Sequence, residues 1–508
     1  MRTRAQIAVC GLLALLLLLS ASMAQAQRAG DVIVCFELAK RAGNETLDAD
    51  IFAQRLSPDG TLVWGDGKPV AVCASSHLAG DPVACEDGEG GAIVAFTFEW
   101  LEGEHRGDVD IAAQRLDEDG TPLWNGGRAP QPVATSRGRE DRPVIISDGR
   151  SGAIIVYQWT NAAGDTDVLA QRIAADGSLA WNDGELPVPV ADSTGVECAP
   201  VAVPDGRGGV IVFFERQAAN GDVDTMAQRL SADGKPLWNG GEPVAVADTE
   251  SAERRVAAIP DGRGGAIAVF ELAFLQGEHE GDVDIMAQRI SGDGALLWGD
   301  SASPALVSSA VAIERSATLA SDGAGGVIVA FEYEPRTGEF AGDIDILAQR
   351  VDADGEALWN NAEKSSVVSS SPGLERYPVA VPSGDGGAVV VFEHEFRGGD
   401  NDGDVDVFAQ RLSPAGEMVW NAGEKSVMVL GSKWLERSPV AFPDGEGGVI
   451  VVCASQGPAG EHEGDVDADA QRLNRDGEML WNGGQRPVEV ANSGELELNA
   501  CGVLIGGR

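Results

Sequence analysis

Hydrophobic residues in this chain fall in short runs separated by polar turns that are rich in glycine. Between 199 and 247, apolar residues fill 199–203, 210–214 and 243–247, while Pro204 to Gly209 forms a tight turn. A third strand is expected through 227–230. Asp233-Gly234 predicts a hairpin turn to a fourth strand near Trp238. The pattern therefore predicts four short antiparallel strands and no helix in this part of the chain.

The same four-strand pattern recurs along almost the whole sequence. Ala-Gln-Arg appears with arginines at positions 55, 115, 172, 229, 289, 350, 411 and 472. A tryptophan follows each of these arginines nine residues later, as Trp64, Trp124, Trp181, Trp238, Trp298, Trp359, Trp420 and Trp481. This period outweighs a domain count based on length, because each repeat is one supersecondary unit that needs its neighbours.

Four antiparallel strands per repeat predict the blades of a β-propeller, with an open solenoid as the alternative. The chain ends distinguish the two, since 31–37 matches a second strand without a first, and 498–504 matches a first strand without a second. The C-terminal strand can complete the N-terminal blade and remove both free edges. We therefore predict an all-β fold in which residues 27–508 form a single eight-bladed propeller.

Two cysteines support this closure. Aligned on the fourth repeat, Cys35 corresponds to Phe213 and Cys501 to Val201, which face each other in a hairpin centred on Arg207. We expect a Cys35–Cys501 disulfide in an oxidising compartment, and two unpaired buried thiols are the alternative.

Residues 1–26 have the features of a cleaved secretory signal, with Arg2 and Arg4 before an apolar run and Ala24-Gln25-Ala26 at its end. No later segment has the length of a membrane span. The formal net charge of -43, from 37 Lys+Arg against 80 Asp+Glu, excludes nucleic acid as a ligand. We expect a monomer that is secreted, periplasmic or attached to the cell surface, with no membrane insertion.

Residues present in every repeat are expected to be structural, because an active site is needed only once. The tryptophans suit packing between blades. Each Ala-Gln-Arg arginine has a possible ion-pair partner in the acid that ends the second strand, as in Glu215, Glu271, Glu332 and Glu393. The Asp-Gly turns before the tryptophans resemble the Asp-box of sialidase-type propellers, a resemblance that concerns the fold and not glycosidase activity.

A second repeated element, Asp-x-Asp, precedes each third strand and places two like charges close together. The seventh repeat adds further acids, giving Asp400, Asp402, Asp404 and Asp406. This segment resembles the calcium loops of integrin-type propellers and implies a calcium site at these four aspartates. Turns capped by aspartate are the alternative explanation.

The loops after the second strands and between repeats vary in length and content, and they define the predicted ligand-binding face. This face carries acidic and aromatic residues that suit sugar rings, cationic groups or a basic protein surface. Its candidate residues are Trp100, Glu104, His105, Trp159, His279, Tyr333, His394 and Trp434. Simple solvation of these side chains is the alternative.

Overall, the chain resembles secreted bacterial propeller proteins built from D-x-D-I-x-A-Q-R and G-x-x-x-W repeats. The first expectation is an exported, non-enzymatic binding, adhesion or scaffold propeller for a protein or glycan ligand. The alternative is a carbohydrate-active hydrolase or lyase that uses carboxylates near the propeller axis, although no catalytic residue can be assigned. A unique, non-repeated cluster at the centre would favour an enzyme, and a ring of repeated residues would favour a scaffold.

Overall fold

The computed structural model describes residues 30–42, 45–218, 221–277, 279–338, 340–362, 364–457, 465–493 and 495–506. The predicted signal sequence, residues 1–26, lies outside them. The described chain is built from strands joined by turns, and none of its helical segments is long and apolar enough to cross a membrane. Its helical segments are short 3-10 turns at Trp124–Gly127, Asn182–Gly184, Asn239–Gly241, Trp359–Ala362, Gly399–Asn401, Trp420–Gly423 and Trp481–Gly484.

The strands of the N-terminal half are β1 (Asp31–Ala42), β2 (Glu45–Leu56), β3 (Val70–Cys73), β4 (Leu78–Glu86), β5 (Ala92–Glu99), β6 (Val109–Leu116), β7 (Gln131–Ala134), β8 (Arg139–Ser147), β9 (Ala153–Thr160), β10 (Thr166–Ile173), β11 (Val188–Ala191), β12 (Val196–Pro204), β13 (Val210–Gln217), β14 (Val223–Leu230) and β15 (Val244–Ala247). Those of the C-terminal half are β16 (Ala252–Pro260), β17 (Ala266–Ala273), β18 (Val283–Ile290), β19 (Gly299–Asp300), β20 (Ser303–Ser308), β21 (Ala312–Ser321), β22 (Val327–Pro335), β23 (Asp345–Val351), β24 (Ser366–Ser369), β25 (Gly373–Pro382), β26 (Ala388–Phe396), β27 (Val405–Leu412), β28 (Val427–Leu430), β29 (Leu435–Pro443), β30 (Val449–Gln456), β31 (Val466–Leu473), β32 (Val488–Ala491) and β33 (Leu496–Ile505).

These strands pair into antiparallel units of four. Unit 1 has the order β33-β1-β2-β3, so the C-terminal strand completes the first unit as predicted. Units 2, 3 and 4 are β4–β7, β8–β11 and β12–β15. Unit 5 is β16, β17, β18 and β20, and units 6, 7 and 8 are β21–β24, β25–β28 and β29–β32.

The fourth strand of each unit lies later in the sequence than its tryptophan. In unit 4 it covers Val244–Ala247, whereas the sequence predicted a strand around Leu237 and Trp238. Trp238 instead leads into a 3-10 turn, in which Gly240 has a φ of 72°. The indole therefore projects from a turn, and this position brings it into contact with the next unit.

The core lies between neighbouring units, on both faces of every second strand. In β13, Val210, Val212 and Phe214 pack with residues of unit 3, while Ile211 and Phe213 pack with residues of unit 5. All five side chains are fully buried. A strand that is buried on both faces has no polar alternation, which explains the continuous apolar runs of the sequence.

Each repeated tryptophan joins its own unit to the next. The indole Nε1 of Trp238 donates a hydrogen bond to the carbonyl of Gly292 in unit 5 (3.0 Å). Its ring lies against Gly294, where an added Cβ would approach the indole to 2.8 Å. Trp481 makes the same contact from unit 8 to unit 1, donating to the carbonyl of Pro58 (3.0 Å). These contacts confirm the predicted packing role.

The glutamine of Ala-Gln-Arg positions the tryptophan. Gln228 Oε1 accepts the backbone N–H groups of Arg229 and Trp238, and its Nε2 donates to the carbonyl of Gly241 (3.1 Å). A buried amide with satisfied donors and acceptors fixes the geometry around it. The motif therefore holds the third strand and the tryptophan turn together.

The arginine of the motif binds a different acid from the one predicted. Arg229 contacts Asp205 Oδ2 through Nε (3.0 Å) and Nη2 (2.7 Å), and it does not pair with Glu215 as expected. Asp205 Oδ1 accepts the backbone N–H of Arg207 (2.7 Å), which closes the turn between the first two strands. The second guanidinium nitrogen, Nη1, donates to the carbonyl of Gly292 in unit 5 (2.6 Å).

Replacing Arg229 with alanine should destabilise the protein by about 3–5 kcal/mol, because Asp205 would remain charged and buried without a partner. The Arg229 and Asp205 side chains are only 6% and 1% exposed. Denaturant unfolding of the mature protein measures the change. Arg207→Ala, at an exposed position of the same turn, should change stability by less than about 0.5 kcal/mol. Equal effects of the two substitutions would contradict this role.

Candidate functional site

The first strands of the units surround a common space. Each first strand contacts that of the next unit, and β33 contacts both β29 and β4. A cavity of about 420 Å³ lies among β4, β8, β29 and β33, with Val83, Ile145, Val440 and Val503 in its lining. Strands from units that are distant in sequence thus face one another across the centre of the molecule.

Each first strand is interrupted by a bulge. In β16, Arg254 pairs with Glu271 and Ala257 pairs with Val269. Two residues of β16 therefore lie opposite a single residue of β17, which makes one extra residue. Arg255, inside this bulge, has a φ of 53°. The equivalent left-handed residues are Asp81, Arg142, Ala199, Ser316, Tyr377, Ser438 and Asn499. A non-glycine residue in this region costs of order 1 kcal/mol, so the surroundings must hold it in place.

A carboxylate from the preceding unit holds four of these eight bulges. Glu271 accepts the backbone N–H of Ser316 (2.8 Å), and Glu332 accepts that of Tyr377 (2.9 Å). Glu393 accepts the N–H of Ser438 (2.6 Å). Glu215, Glu271, Glu332 and Glu393 are thus not the partners of the repeated arginines. They lie instead against the bulges of the first strands, the inner bulges.

Arginines collect around the same bulges. Arg315 contacts Glu332 (2.9 Å) and Glu334 (2.8 Å), and Arg255 lies 3.6 Å from Glu271. In or beside the bulges lie Arg142, Arg254, Arg255, Arg315, Arg376 and Arg437. This is a local concentration of positive charge in a chain with a net charge of -43.

The carboxyl groups at these bulges are difficult to ionise. Burial, followed by repulsion from Glu332, raises the pKa of Glu271 to about 7. Burial likewise raises the pKa of Glu393 to about 7. Arg315 makes an ion pair with Glu332, which lies between the other two in unit order. At neutral pH, a carboxyl that can hold a proton therefore lies near a carboxylate bound to a guanidinium group.

The bulge is also where the units differ. The left-handed position is occupied by acidic, basic, hydroxyl-bearing, aromatic and small residues in different units. The Glu of the second strand is replaced by Thr97 in unit 2, Gln158 in unit 3 and Ala454 in unit 8. The centre of the molecule therefore carries a partly repeated cluster. Glutamate and arginine recur at equivalent positions in several units, as in the pairs Arg254–Glu271, Arg315–Glu332 and Arg376–Glu393, while the left-handed residue of the bulge differs from unit to unit.

The loop residues predicted to bind ligand are distributed over separate units. In unit 2, Trp100 lies 5.9 Å from His105 and 4.9 Å from His77, measured between ring centroids. The indole Nε1 of Trp100 also donates to Asp110 (2.6 Å). Glu104 is exposed in the same loop.

Two further candidates make contacts of this kind in other units. His279 lies 3.5 Å from Asp282 and stacks near Phe274 in unit 5. His394, in unit 7, is buried and lies 3.1 Å from Glu375. Each predicted histidine thus lies beside an acid near its own Asp-x-Asp element.

The remaining candidates follow the same distribution. Trp159 pairs with Asp167 across its strand, and Tyr333 pairs with Asp345. Trp434 lies in the segment before β29, where its backbone N–H donates to Ser432. The candidate residues chosen from the sequence therefore lie beside the Asp-x-Asp elements. The cluster of glutamates and arginines at the inner bulges was not predicted. The signal that could have found the cluster is a charged residue within an otherwise apolar first strand.

One predicted local feature, the disulfide, differs from expectation. Cys35 and Cys501 are directly opposite each other in the β1–β33 pair, but both are free cysteines, so the expected disulfide is not formed in this structure. Asp400 and Asp402 are exposed, and Asp402 accepts the N–H of Gly398 (2.7 Å). Asp404 is half-buried and Asp406 is buried, and Asp406 interacts with Glu436 of unit 8. A calcium site at these four aspartates stays a prediction.

No protein-family model matches the sequence, and no curated protein matches it. Among solved structures, the fold is similar to that of the polysaccharide lyase Uly1, with 8% identity, a TM-score of 0.45 and coverage of 89% of this chain and 100% of the lyase. A thermostable family-43 glycoside hydrolase is similar at 13% identity and a TM-score of 0.31, covering 58% and 94% of the two chains. An endo-arabinase from Bacteroides thetaiotaomicron has 14% identity and a TM-score of 0.29, with coverage of 52% and 92%.

These neighbours correct the first functional expectation. The sequence favoured a non-enzymatic binding, adhesion or scaffold module, whereas the similar structures are carbohydrate-active enzymes. At such identities the likeness concerns the fold alone, so any chemistry depends on the residues of this chain.

The pH dependence of stability should reflect Glu271. Its pKa is raised from the ordinary 4.5 to about 7, so the folded protein binds this proton more tightly than the unfolded chain. Stability from this group is complete below about pH 4.5 and is lost as pH rises to about 7, by up to about 3 kcal/mol. Glu271→Gln, which keeps an acceptor for Ser316, should reduce this loss in unfolding experiments between pH 5 and pH 8.

Glu185→Gln is the matched control, because it removes one exposed carboxylate without changing the bulge. Its pH dependence should follow that of the unmodified protein. If Glu271→Gln also follows that curve, the raised pKa of Glu271 is wrong.

Proposed function

We propose that the mature chain, exported after cleavage near Ala26, is a closed eight-bladed β-propeller that cleaves an anionic polysaccharide at its centre. The units described above would be the blades, and their first strands would line the axis. The observation that carries the proposal is the cluster of buried glutamates and arginines at the inner bulges.

Closure of the ring is supported by contacts between the first and last units. β33 pairs with β1 along Asp31–Ala39. Val34 and Phe36 of unit 1 share an apolar cluster with Val452 and Trp481 of unit 8. Arg472 also donates to the carbonyl of Pro58 (3.0 Å), as its equivalents do between successive units. The last unit thus meets the first through the same contacts that join the others.

Oxidation should trap this closure as a covalent link. Directly opposed residues of antiparallel strands lie close enough for a disulfide, and Cys35 is directly opposite Cys501. Interaction with Cys501, together with burial, raises the pKa of the Cys35 thiol. Mild copper-catalysed oxidation of the mature protein should give a Cys35–Cys501 disulfide within one monomer, detected by peptide mapping. Cys501→Ser should abolish it. A link found only between two chains, or no link, would contradict closure by a single chain.

Arginines in or beside the inner bulges would select the substrate. Arg142, Arg254 and Arg437 are exposed, and the Arg255 side chain is 59% exposed. Guanidinium groups form paired hydrogen bonds with carboxylate and sulfate-like groups. A glycan bearing such groups could approach these side chains in spite of the acidic surface elsewhere.

Neighbouring carboxyl groups would supply the acid and base. Glu271, which can hold a proton near neutral pH, would protonate the oxygen of the leaving sugar. The Glu332 carboxylate, held by Arg315, would accept a proton from water in hydrolysis. In a lyase it would instead remove the proton next to the uronate carboxylate, whose charge Arg255 would neutralise.

Activity is tested with purified mature protein and a panel of neutral, uronate-containing and sulfated polysaccharides. New reducing ends indicate cleavage, and ultraviolet absorption of an unsaturated uronate distinguishes a lyase from a hydrolase. Glu271→Gln should lower kcat by about 10²–10⁴-fold with a smaller change in KM, since it removes a proton donor.

Glu185→Gln provides the control and should leave kcat unchanged, because its carboxylate lies at an exposed turn away from the first strands. Circular dichroism and melting would show that each variant is folded. Cleavage that survives both Glu271→Gln and Glu332→Gln would overturn the assignment of these carboxyl groups, as would a preference for neutral glycans over anionic ones.

A further inference from the structure

We propose that Asp465, Asp467 and Glu497 bind a divalent cation of the calcium type, which joins unit 8 to β33 of unit 1. This site differs from the loop aspartates predicted from the sequence, and it is independent of the proposed activity. Its role would be structural, at the place where the chain ends meet.

The geometry of the three acids suits such an ion. One carboxylate oxygen from each residue lies within 4.8 Å of those from the other two. Calcium binds oxygen ligands at about 2.3–2.6 Å, so two ligands on opposite sides of the ion can lie about 5 Å apart. The donors are all carboxylates, which favours a hard cation over zinc or copper.

Two of the acids are buried with oxygens that have no protein partner. The Asp467 and Glu497 side chains belong to residues only 4% and 2% exposed. Asp467 Oδ1 and Glu497 Oε2 have no hydrogen-bond donor in the described part of the chain. An unsatisfied buried carboxylate is costly, so these oxygens indicate a missing positive ligand.

One side of Glu497 is already fixed. Its Oε1 accepts the backbone N–H of Ser493 (3.2 Å) and the hydroxyl of the same residue. These bonds hold the carboxylate so that Oε2 faces the aspartates. The charged groups that act on Asp467 are themselves carboxylates, namely Asp465, Glu497, Asp469 and Glu489.

The arrangement recurs at other junctions between units. In six further cases, a buried glutamate near the start of a first strand lies close to the Asp-x-Asp element of the preceding unit, and its Oε2 likewise has no partner in the described residues. These glutamates are Glu140, Glu197, Glu253, Glu314, Glu375 and Glu436. Because the unsatisfied oxygen recurs at equivalent positions, it is a regular feature of the fold and not a local irregularity.

The junction between units 1 and 2 provides an internal comparison. Ala79 occupies the position of the glutamate. Here Asp50 Oδ1 accepts the backbone N–H of Ser75 (2.9 Å), and Lys40 lies 3.7 Å from Asp48. At this junction a lysine of the protein lies beside the aspartates, although Asp48 Oδ1 still has no hydrogen-bond partner in the described residues.

Calcium titration of the mature protein, first treated with chelator, tests the site by calorimetry and thermal melting. Calcium should raise the melting temperature by several degrees, because an ion that binds only the folded state stabilises it. Asp467→Asn and Glu497→Gln should each bind one calcium ion fewer than the unmodified protein. Without calcium, Asp467→Asn should melt at or above the unmodified protein, because it removes a buried repulsion.

Asp476→Asn is the matched control, since Asp476 is exposed in the turn after β31. It should leave both the number of bound ions and the melting temperature unchanged. The proposal is overturned if calcium neither binds nor raises the melting temperature, or if Asp467→Asn and Glu497→Gln bind as many ions as the control. Having two variants keeps the test valid if one of them fails to fold.

Discussion

The fold depends on the ion pair between each Ala-Gln-Arg arginine and an aspartate near the start of the second strand, which is largely buried in six of the eight units. In unit 4, one oxygen of Asp205 closes the turn while the other binds Arg229, whose remaining nitrogen reaches the carbonyl of Gly292 in the next unit. A single guanidinium therefore fixes a turn, a strand and a junction. Because the charges are buried, losing either partner would leave the other uncompensated. The indole of Trp238 donates to the same carbonyl of Gly292, so the arginine and the tryptophan bind the next unit at one point.

Because these arginine, aspartate and tryptophan contacts recur from unit to unit, the units can differ at few positions. The inner bulge is one of them, because its left-handed residue is held through a backbone N–H and not through its own side chain. The side chain at that position is thus free to vary without loss of the fold. Residues such as Arg255 and Tyr377 can then serve recognition, while Glu271 and Glu332 behind them support the strained backbone. The same carboxylates thus support the strained backbone and would take part in the proposed reaction.

The sequence predicted the strand pairing well because register follows directly from the repeat. Val201 faces Phe213, and Cys35 faces Cys501, as the turn-centred alignment required. It failed for the partner of Arg229, because Asp205 and Glu215 both recur at fixed distances and spacing alone does not show which lies on the same side. It also missed the central cluster, since the one extra residue of each bulge breaks the alternation that assigns side chains to faces.

The buried carboxylates of this acidic chain lie in two different electrostatic environments. At the inner bulges, arginines of the protein lie beside the buried glutamates, as Arg315 does beside Glu332. At the junction of units 8 and 1, the charged neighbours of Asp467 are carboxylates. The repeated arginines cannot help there, because each already binds the aspartate near its own second strand, as Arg472 binds Asp444. Burying like charges without a counter-charge is unfavourable. The first cluster is therefore compensated within the protein, whereas the second would need a cation from outside. The position of that ion between Asp467 and Glu497 would make the stability of the junction between units 8 and 1 depend on it.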